Sequence, residues 1–389
     1  MQTFSFPIRI SLLYAALFVS YGIHLPFMPV WLAERGINET GIAIILAAPM
    51  FVRVATTLVS GSLIDLWGDR RMALIVLAGL TGASMGLYLV AEGFAQILAV
   101  SLLAALTWGT LLITLDAVAV TGARAGLGDF GRMRLWGSAS FIMASTVGGW
   151  IVAATGSWVV VPIIAGSFLA LSVLALATPV VAIGGEDGGD APRLGIIASL
   201  RTVWAVPGLV VVLAAASIGQ ASHAVLYSFG SLFWKGNGYS AGSIGLLWSI
   251  GVLSEIGLLF LSGRIMGRIG AVRLIAIGAI GGAVRFALFP LDLGPVVTVT
   301  LQTLHAASFA AVFIGMMQVV SSRVPPHLAA TAQGLVMTTN GLALAVMTLA
   351  AGPLYHRFGG QAFWAMALVC VVAASIALVQ LRRERETSG

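Results

Sequence analysis

Charge is what this sequence has least of. Asp, Glu, Lys and Arg make up 9% of its 389 residues, against roughly 25% in an average soluble domain. That is too little charge to cover a water-soluble body of this size. The single cysteine, Cys370, excludes an internal disulfide, so redox chemistry adds nothing to the fold and the residue is expected to pack within a span. No His-x-x-x-His metal pair, no run of paired carboxylates and no nucleophile elbow is read from it, which argues against a membrane-embedded enzyme and against any cofactor.

What is abundant is apolar. Hydrophobic residues are 59% of the chain, and the mean hydropathy is +1.03. A bilayer core about 30 Å thick takes about 20 apolar residues per helix, and uncharged stretches of that length recur from end to end. The apolar solvent is therefore lipid, and the fold class is an all-α membrane protein. Arg9 precedes an apolar stretch too long for a signal-peptide core, with no small-residue cleavage site after it, so it opens the first span.

Charges and turn formers place six spans at 8–32, 39–64, 71–92, 95–122, 131–154 and 159–182. Six more fall at 207–232, 240–264, 271–290, 295–321, 328–351 and 361–381. The polar, Gly-rich run Gly184-Gly185-Glu186-Asp187-Gly188-Gly189-Asp190-Ala191-Pro192-Arg193 cannot span and reads as a cytoplasmic linker. The expected organisation is a six-helix bundle over 1–183, a linker over 184–206, and a second six-helix bundle over 207–389 with a short basic tail.

Sliding the chain against itself by 202 residues aligns Ser20 with Ser222, Gly36 with Gly238, Ile42 with Ile244, Gly61 with Gly263, Gly68 with Gly270 and Arg71 with Arg273. Landmarks coincide although identity is low. This is the parallel repeat of transporters whose two halves rock about a central site. The 47 Gly and 13 Pro are ordinary in membrane helices, where small residues allow close approach. Gly82-x-x-x-Gly86 reads as a packing seam, and the 13 Met and 10 Trp as lipid contact and interfacial anchors.

The net charge of +6 and pI near 10.1 would suggest nucleic acid in a soluble protein. Placement argues against it. With the amino terminus inside, only Arg35, Lys235 and Arg357 fall outside and only Arg53 and Arg285 within spans, so the remaining Lys and Arg crowd the inner side. That is the positive-inside bias, and it puts both termini in the cytoplasm.

The segment Gly61-Ser62-Leu63-Ile64-Asp65-Leu66-Trp67-Gly68-Asp69-Arg70-Arg71 resembles the signature loop between the second and third helices of the major facilitator superfamily. The resemblance implies a conformational latch at Gly61, Asp65, Gly68, Arg70 and Arg71. Asp129-Phe130-Gly131-Arg132-Met133-Arg134-Leu135-Trp136-Gly137-Ser138 resembles the entry to the fifth helix of lactose permease and the related 3-phenylpropionate permeases, which adds Asp129 and Arg132 to that latch. Ser20-Tyr21-Gly22-Ile23, Leu25-Pro26-Phe27, Gly238-Tyr239-Ser240-Ala241 and Leu247-Trp248-Ser249 point to the same branch. His24 departs from the apolar residue expected there.

A charge at the bilayer centre costs about 2.5–3.5 kcal/mol on insertion scales, so each is a candidate functional residue. The candidates are Arg53, Asp116, Arg134, Glu255 and Arg285, with His223 and His305. The order Glu255, Arg285, His305 on the eighth, ninth and tenth spans resembles the proton-coupling constellation of lactose permease. Asp116 and Arg134 resemble its carboxylate and arginine on the fourth and fifth helices. Where lactose permease has a second carboxylate one turn after the histidine, this chain has Ser308, so the protonatable group is expected to be Glu255. Burial favours its neutral form and an arginine neighbour its charged form, and such opposition lets a carboxyl switch.

Each candidate also admits a structural reading. Glu255 and Arg285 form a coupling pair or a static tie between helices. Asp116 and Arg134 contact substrate or tether the cytoplasmic side. Arg53 contacts substrate or partners another helix, while His223 and His305 are packing residues or members of the site. His24 reads as packing.

The resemblance implies a symporter driven by a proton gradient, with no cofactor, in a bacterial inner membrane. Its partners would be protons, lipid and a small organic solute, with no nucleic acid. The solute implied is an aromatic carboxylate of the phenylpropionate kind, held by Arg134 or Arg53 and packed by Tyr21, Phe27 and Tyr227. A sugar or nucleoside carrier, a drug exporter and a non-transporting sensor are the alternatives.

Overall fold

The computed structural model describes residues 5–67, 69–178 and 196–386. Among them, eleven apolar helical stretches are long enough to cross a bilayer. The last, Thr331–Glu386, runs to 56 residues, well over twice the roughly 20 that a bilayer needs, and takes in most of the helix Ala329–Phe358 and all of Ala362–Glu386, so the spans number twelve among the described residues.

The first six spans are Phe6–Glu34, Glu39–Trp67, Arg70–Gly86, Gly93–Arg124, Phe130–Thr155 and Val160–Leu176. A nine-residue helix, Ile196–Trp204, occupies the carboxyl end of the expected linker, whose 184–195 lie outside the described residues. The seventh span is broken into Leu209–Ala221 and Ala224–Gly236. The eighth and ninth are Ala241–Ile269 and Ala271–Leu288. The tenth runs as Pro295–Thr303, a π-helical turn Ala306–Ala311, and Val312–Arg323.

The internal repeat is visible in atomic detail at the turns. After the first span, Gly36 takes φ +77°, Gly36 N donates to Ala33 O and Ile37 N reaches back to Leu32 O. After the seventh, Gly238 takes φ +86°, Gly238 N donates to Lys235 O and Tyr239 N to Trp234 O. These are the same glycine-closed helix end displaced by 202 positions. The next helix start repeats too. Asn38 Oδ1 accepts from Gly41 N at 2.8 Å, and Ser240 Oγ from Ser243 N at 3.1 Å.

Contacts divide the chain into two compact units, Met1–Gly184 with Ser228–Ser249, and Gly185–Tyr227 with Ile250–Gly389. Ser228–Ser249, which the sequence places in the second bundle, group with the first unit for identifiable reasons. A Cβ on Gly149 would stand 2.5 Å from Ala241 O, and one on Gly245 2.0 Å from Ser145 O, so glycine is what lets these backbones touch. Lys235 Nζ bonds Glu34 Oε1 at 2.6 Å, and Ser157 donates to the same carboxylate.

Within the first unit the first span packs on the fifth and sixth, and the third on the fourth and sixth. In the second unit the seventh packs on the eleventh and twelfth, and the ninth on the tenth and twelfth. These four pairings repeat after a shift of six spans, whereas the packing of the second span on the fourth has no comparable counterpart between the eighth and tenth among the described residues. Gly82 serves the expected seam, because a Cβ there would meet Leu169 at 2.9 Å, whereas Gly86 faces open space. Cys370 is buried in packing beside Gly282.

The run Gly82-Ala83-Ser84-Met85-Gly86 also has the Gly-x-Ser-x-Gly spelling of a nucleophile elbow. It is continuous helix, with Ser84 Oγ donating back to Leu80 O at 2.8 Å, so the spelling carries no nucleophile.

At the basic end of the first unit, arginines bind free carbonyls and hydroxyls at span ends. Arg9 donates to Ala177 O, Arg71 to Leu176 O, and Arg70 to Thr121 Oγ1 at 2.9 Å. Asp129 caps the fifth span by accepting from Arg132 N at 2.7 Å, while the Arg132 side chain is exposed. Asp69 likewise caps the third span through Arg71 N and Met72 N. Of the remaining latch residues, Gly61 and Asp65 lie on the second span with side chains outside the described set, and Gly68 lies outside the described residues altogether.

Candidate functional site

Two clusters of polar side chains stand inside the membrane-spanning body, one in each unit. The cluster in the second unit is built around Arg285, whose side chain is 0% exposed. A guanidinium has five donors and no acceptor, and burial obliges it to find oxygen or nitrogen lone pairs. Arg285 Nη1 meets His305 Nδ1 at 2.8 Å and Ser308 Oγ at 3.1 Å, while Nη2 meets Gln302 Oε1 at 2.9 Å.

Glu255 does not bond Arg285 directly, as a simple ion pair would require. Its Oε1 lies 2.7 Å from His305 Nε2, so the imidazole stands between carboxylate and guanidinium. This fixes the proton's location. Arg285 only donates, so His305 Nδ1 accepts, and the ring hydrogen is on Nε2, donating to Glu255. A second proton on His305 would point at a guanidinium N–H. The chain thus holds His305 neutral and leaves Glu255 as the group with room for a proton.

Beyond Ser308 the chain continues to His223, which is 0% exposed. His223 Nδ1 lies 3.1 Å from the carbonyl of Gln220, which only accepts, so Nδ1 carries the hydrogen. In the neutral ring Nε2 then accepts from the Ser308 hydroxyl at 3.1 Å. His223 is therefore a member of this chain. Tyr227 flanks both imidazoles, with ring centroids 5.5 Å from His223 and 6.4 Å from His305. Arg285 Nε and Gln302 Nε2 remain buried donors without partners.

Both histidines sit where their helices lose regularity. Ser222 Oγ donates back to Gly219 O at 2.6 Å and His223 engages Gln220 O, so side chains compete with the helix ladder at the break in the seventh span. His305 immediately precedes the π-helical turn of the tenth. Such turns insert an extra residue per turn and recur at functional sites.

The polar cluster of the first unit carries two arginines of opposite character, Arg53 and Arg134. Arg134 is engaged. Its Nε lies 3.9 Å from Asp116 Oδ1, and its guanidinium stacks over Phe18 at 4.2 Å and Tyr14 at 5.3 Å. The Tyr14 hydroxyl donates a short hydrogen bond to the same Asp116 oxygen. Arg53 has no carboxylate partner among the described residues. Its guanidinium lies 5.8 Å from the centre of the Trp108 indole.

Trp108 is 6% exposed, and four residues surround its ring. Tyr21 packs at 5.3 Å, Phe168 at 5.2 Å edge-on, and His24 at 4.9 Å edge-on, with Arg53 completing the set. Phe27 does not join them. It is 0% exposed and packs toward Gly148 of the fifth span.

Trp108, Gln302, Tyr14 and Phe18 are the residues that sequence reasoning missed. Gln302, His305 and Ser308 recur every three residues along an otherwise apolar span, one polar stripe on one face. Tyr14, Phe18 and Tyr21 form an equivalent aromatic stripe on the first span. Trp108 stands near the middle of Gly93–Arg124, not at an interface, and that depth separates it from an anchoring tryptophan.

The MFS_1 like family model matches residues 7–366 of the chain. The probable 3-phenylpropionic acid transporter of Escherichia coli (strain K12) is 28% identical over 369 residues, which cover 94% of this chain and 95% of that protein. Maltose permease of Geobacillus stearothermophilus is 26% identical over 387 residues, covering 97% and 95%. Among solved structures, nucleoside transporter NupG superposes with a TM-score of 0.84 at 18% identity, covering 97% of this chain and 99% of that one. The inward-facing, unoccupied bacterial homolog of the human lysosomal transporter Spinster gives 0.73 at 15%, covering 97% and 96%. The two structures share the fold, and the twelve spans are those of major facilitator transporters.

Proposed function

The chain belongs to the MFS_1-like family and is a multi-pass membrane transporter, and from that premise we propose that it imports a small aromatic carboxylate together with a proton. The observation that carries proton coupling is the chain Glu255–His305–Arg285, an acid and a base joined through a neutral imidazole. With Glu255 ionised the chain is balanced, one negative and one positive charge. A proton on Glu255 removes the charge to which His305 donates and leaves Arg285 without its counter-charge, an arrangement costly in a low-dielectric interior. The two protonation states therefore favour different conformations, and the proton shifts the population between them. No cofactor enters the cycle, and the proton gradient supplies the work.

The solute class rests on two supports. One is the likeness to the phenylpropionic acid transporter, and the other is an intramembrane arginine without a carboxylate. The likeness to maltose permease keeps a neutral sugar as the competing solute. Competition of labelled 3-phenylpropionate uptake by maltose and by uridine separates them, because a sugar or nucleoside carrier is inhibited by its own substrate and not by the acid. The crowding of Lys and Arg on one side supports residence in the bacterial inner membrane with both termini cytoplasmic.

Glu255→Gln tests the coupling role. The amide keeps an oxygen to accept from His305 and cannot take up the proton. In proteoliposomes the variant should lose uptake driven by a pH gradient while exchange of preloaded for external solute continues. Uptake that still follows the gradient would remove Glu255 from the mechanism.

A further inference from the structure

Resting on the proposed transport of an aromatic carboxylate, we propose that Arg53, Trp108 and His24 form the carboxylate-recognition site and that it takes a monocarboxylate. Three observations point there. Of the two arginines in the intramembrane cluster of the first unit, Arg53 has no carboxylate partner among the described residues, whereas Arg134 already faces Asp116. Trp108 Nε1 is a buried donor without a well-formed hydrogen bond, and the group that interacts with it is the neighbouring Tyr21 hydroxyl. His24, the residue out of place on the first span, stands edge-on against the same indole.

Buried donors are almost always satisfied, so the Trp108 N–H, with the Arg53 guanidinium beside it facing no carboxylate among the described residues, calls for an acceptor from outside the chain. A carboxylate supplies two oxygens and one negative charge, which matches one guanidinium fork and one indole N–H. A neutral sugar or nucleoside offers oxygens and leaves the Arg53 charge uncompensated. A dicarboxylate brings a second charge for which this cluster has no second arginine, since Asp116 engages Arg134. The aromatic end of the solute has Tyr21 and the chain of rings from Phe18 to Phe168 to pack against.

The site is prepared by the sequence. Gly109 lies against the stem of Arg53, and a Cβ at that position would come within 2.9 Å of Arg53 Cγ. Glycine on the fourth span is thus what admits the arginine beside Trp108. His24 is explained as well. An apolar residue would leave the edge of the indole covered by carbon, whereas an imidazole adds a polar group that donates to a second carboxylate oxygen in the tautomer that suits it.

The experiment compares binding of 3-phenylpropionate and its uncharged carboxamide to the purified protein by calorimetry. Wild type should prefer the acid by about tenfold or more, the size of one hydrogen-bonded charge contact. Arg53→Gln should lower affinity for the acid to that for the amide, with amide binding retained as proof that the site remains folded. Trp108→Phe keeps the ring and removes the N–H, and should shrink the preference by several-fold. Arg134→Gln should leave the preference in place.

Retention of the acid preference in Arg53→Gln, or its loss in Arg134→Gln, overturns the assignment while leaving aromatic acid transport intact. A wild type that binds neither phenyl compound and binds maltose or uridine instead overturns the proposed solute class, and this site with it.

Discussion

The two units share several span pairings and hold opposite kinds of polar chemistry. In the second unit the carboxylate, imidazoles and guanidinium of the Arg285 cluster are linked to one another, with Arg285 Nε and Gln302 Nε2 left over, and the chain from Glu255 through His305 and Arg285 to Ser308 and His223 is continuous. In the first unit Arg53 and Trp108 Nε1 are left open. A cluster that balances itself responds to a proton, because protonation is what upsets it. A cluster with surplus donors responds to an anion, because an anion is what completes it. Arg53 and Glu255 occupy equivalent positions of the 202-residue repeat, so the proposed anion site and the proposed proton site fall on one repeat position.

The largest effect expected from disturbing this division is at Arg285. Arg285→Gln removes the counter-charge of Glu255 and three hydrogen bonds at once, a change of the order of 3–5 kcal/mol for breaking a buried charged network. Thermal unfolding in detergent should fall markedly, and transport should be lost. Unchanged melting would mean that the second unit's chain holds nothing together.

Asp116→Asn should matter far less. Asp116 is half-exposed and shares its charge with Tyr14 and Arg134, and such pairs contribute about 1 kcal/mol or less. Uptake should slow by less than about fivefold and remain driven by the pH gradient. Loss of coupling in this variant would move the proton site into the first unit and erase the contrast.

The smallest effect is an expected absence of one. If one monocarboxylate enters with one proton at Glu255, no net charge crosses the membrane. Imposing a potassium diffusion potential at equal pH on both sides should not alter the initial rate in proteoliposomes. Acceleration by an inside-negative potential would show that more than one proton accompanies each anion.

Much of the architecture was legible in the sequence because lipid imposes a coarse rule. Uncharged stretches about 20 residues long must be helices, and each span expected from charge placement has its helix among the described residues. The repeat was legible for a related reason. Gly36 and Gly238 are needed where the chain takes positive φ, and a required glycine is a landmark even when its neighbours have drifted.

The site was legible in its residues and less so in its wiring. Glu255, Arg285 and His305 stand out as charges or imidazoles in apolar surroundings. That His305 separates Glu255 from Arg285 is a matter of side-chain geometry next to a π-helical turn, and no residue of Ala306–Ala311 announces that turn. Trp108 and Phe27 were hard to place for the opposite reason. Aromatic residues are common in membranes, and sequence alone does not reveal which ring has a guanidinium beside it and which packs toward a glycine.

The measurement that tests this division of labour most directly places Glu255→Gln and Arg53→Gln side by side in proteoliposomes and reads both pH-driven uptake and counterflow of labelled 3-phenylpropionate. The account predicts that Glu255→Gln loses the first and keeps the second, whereas Arg53→Gln loses both. Counterflow surviving in Arg53→Gln, or vanishing in Glu255→Gln when the purified variant still binds the acid, would contradict it.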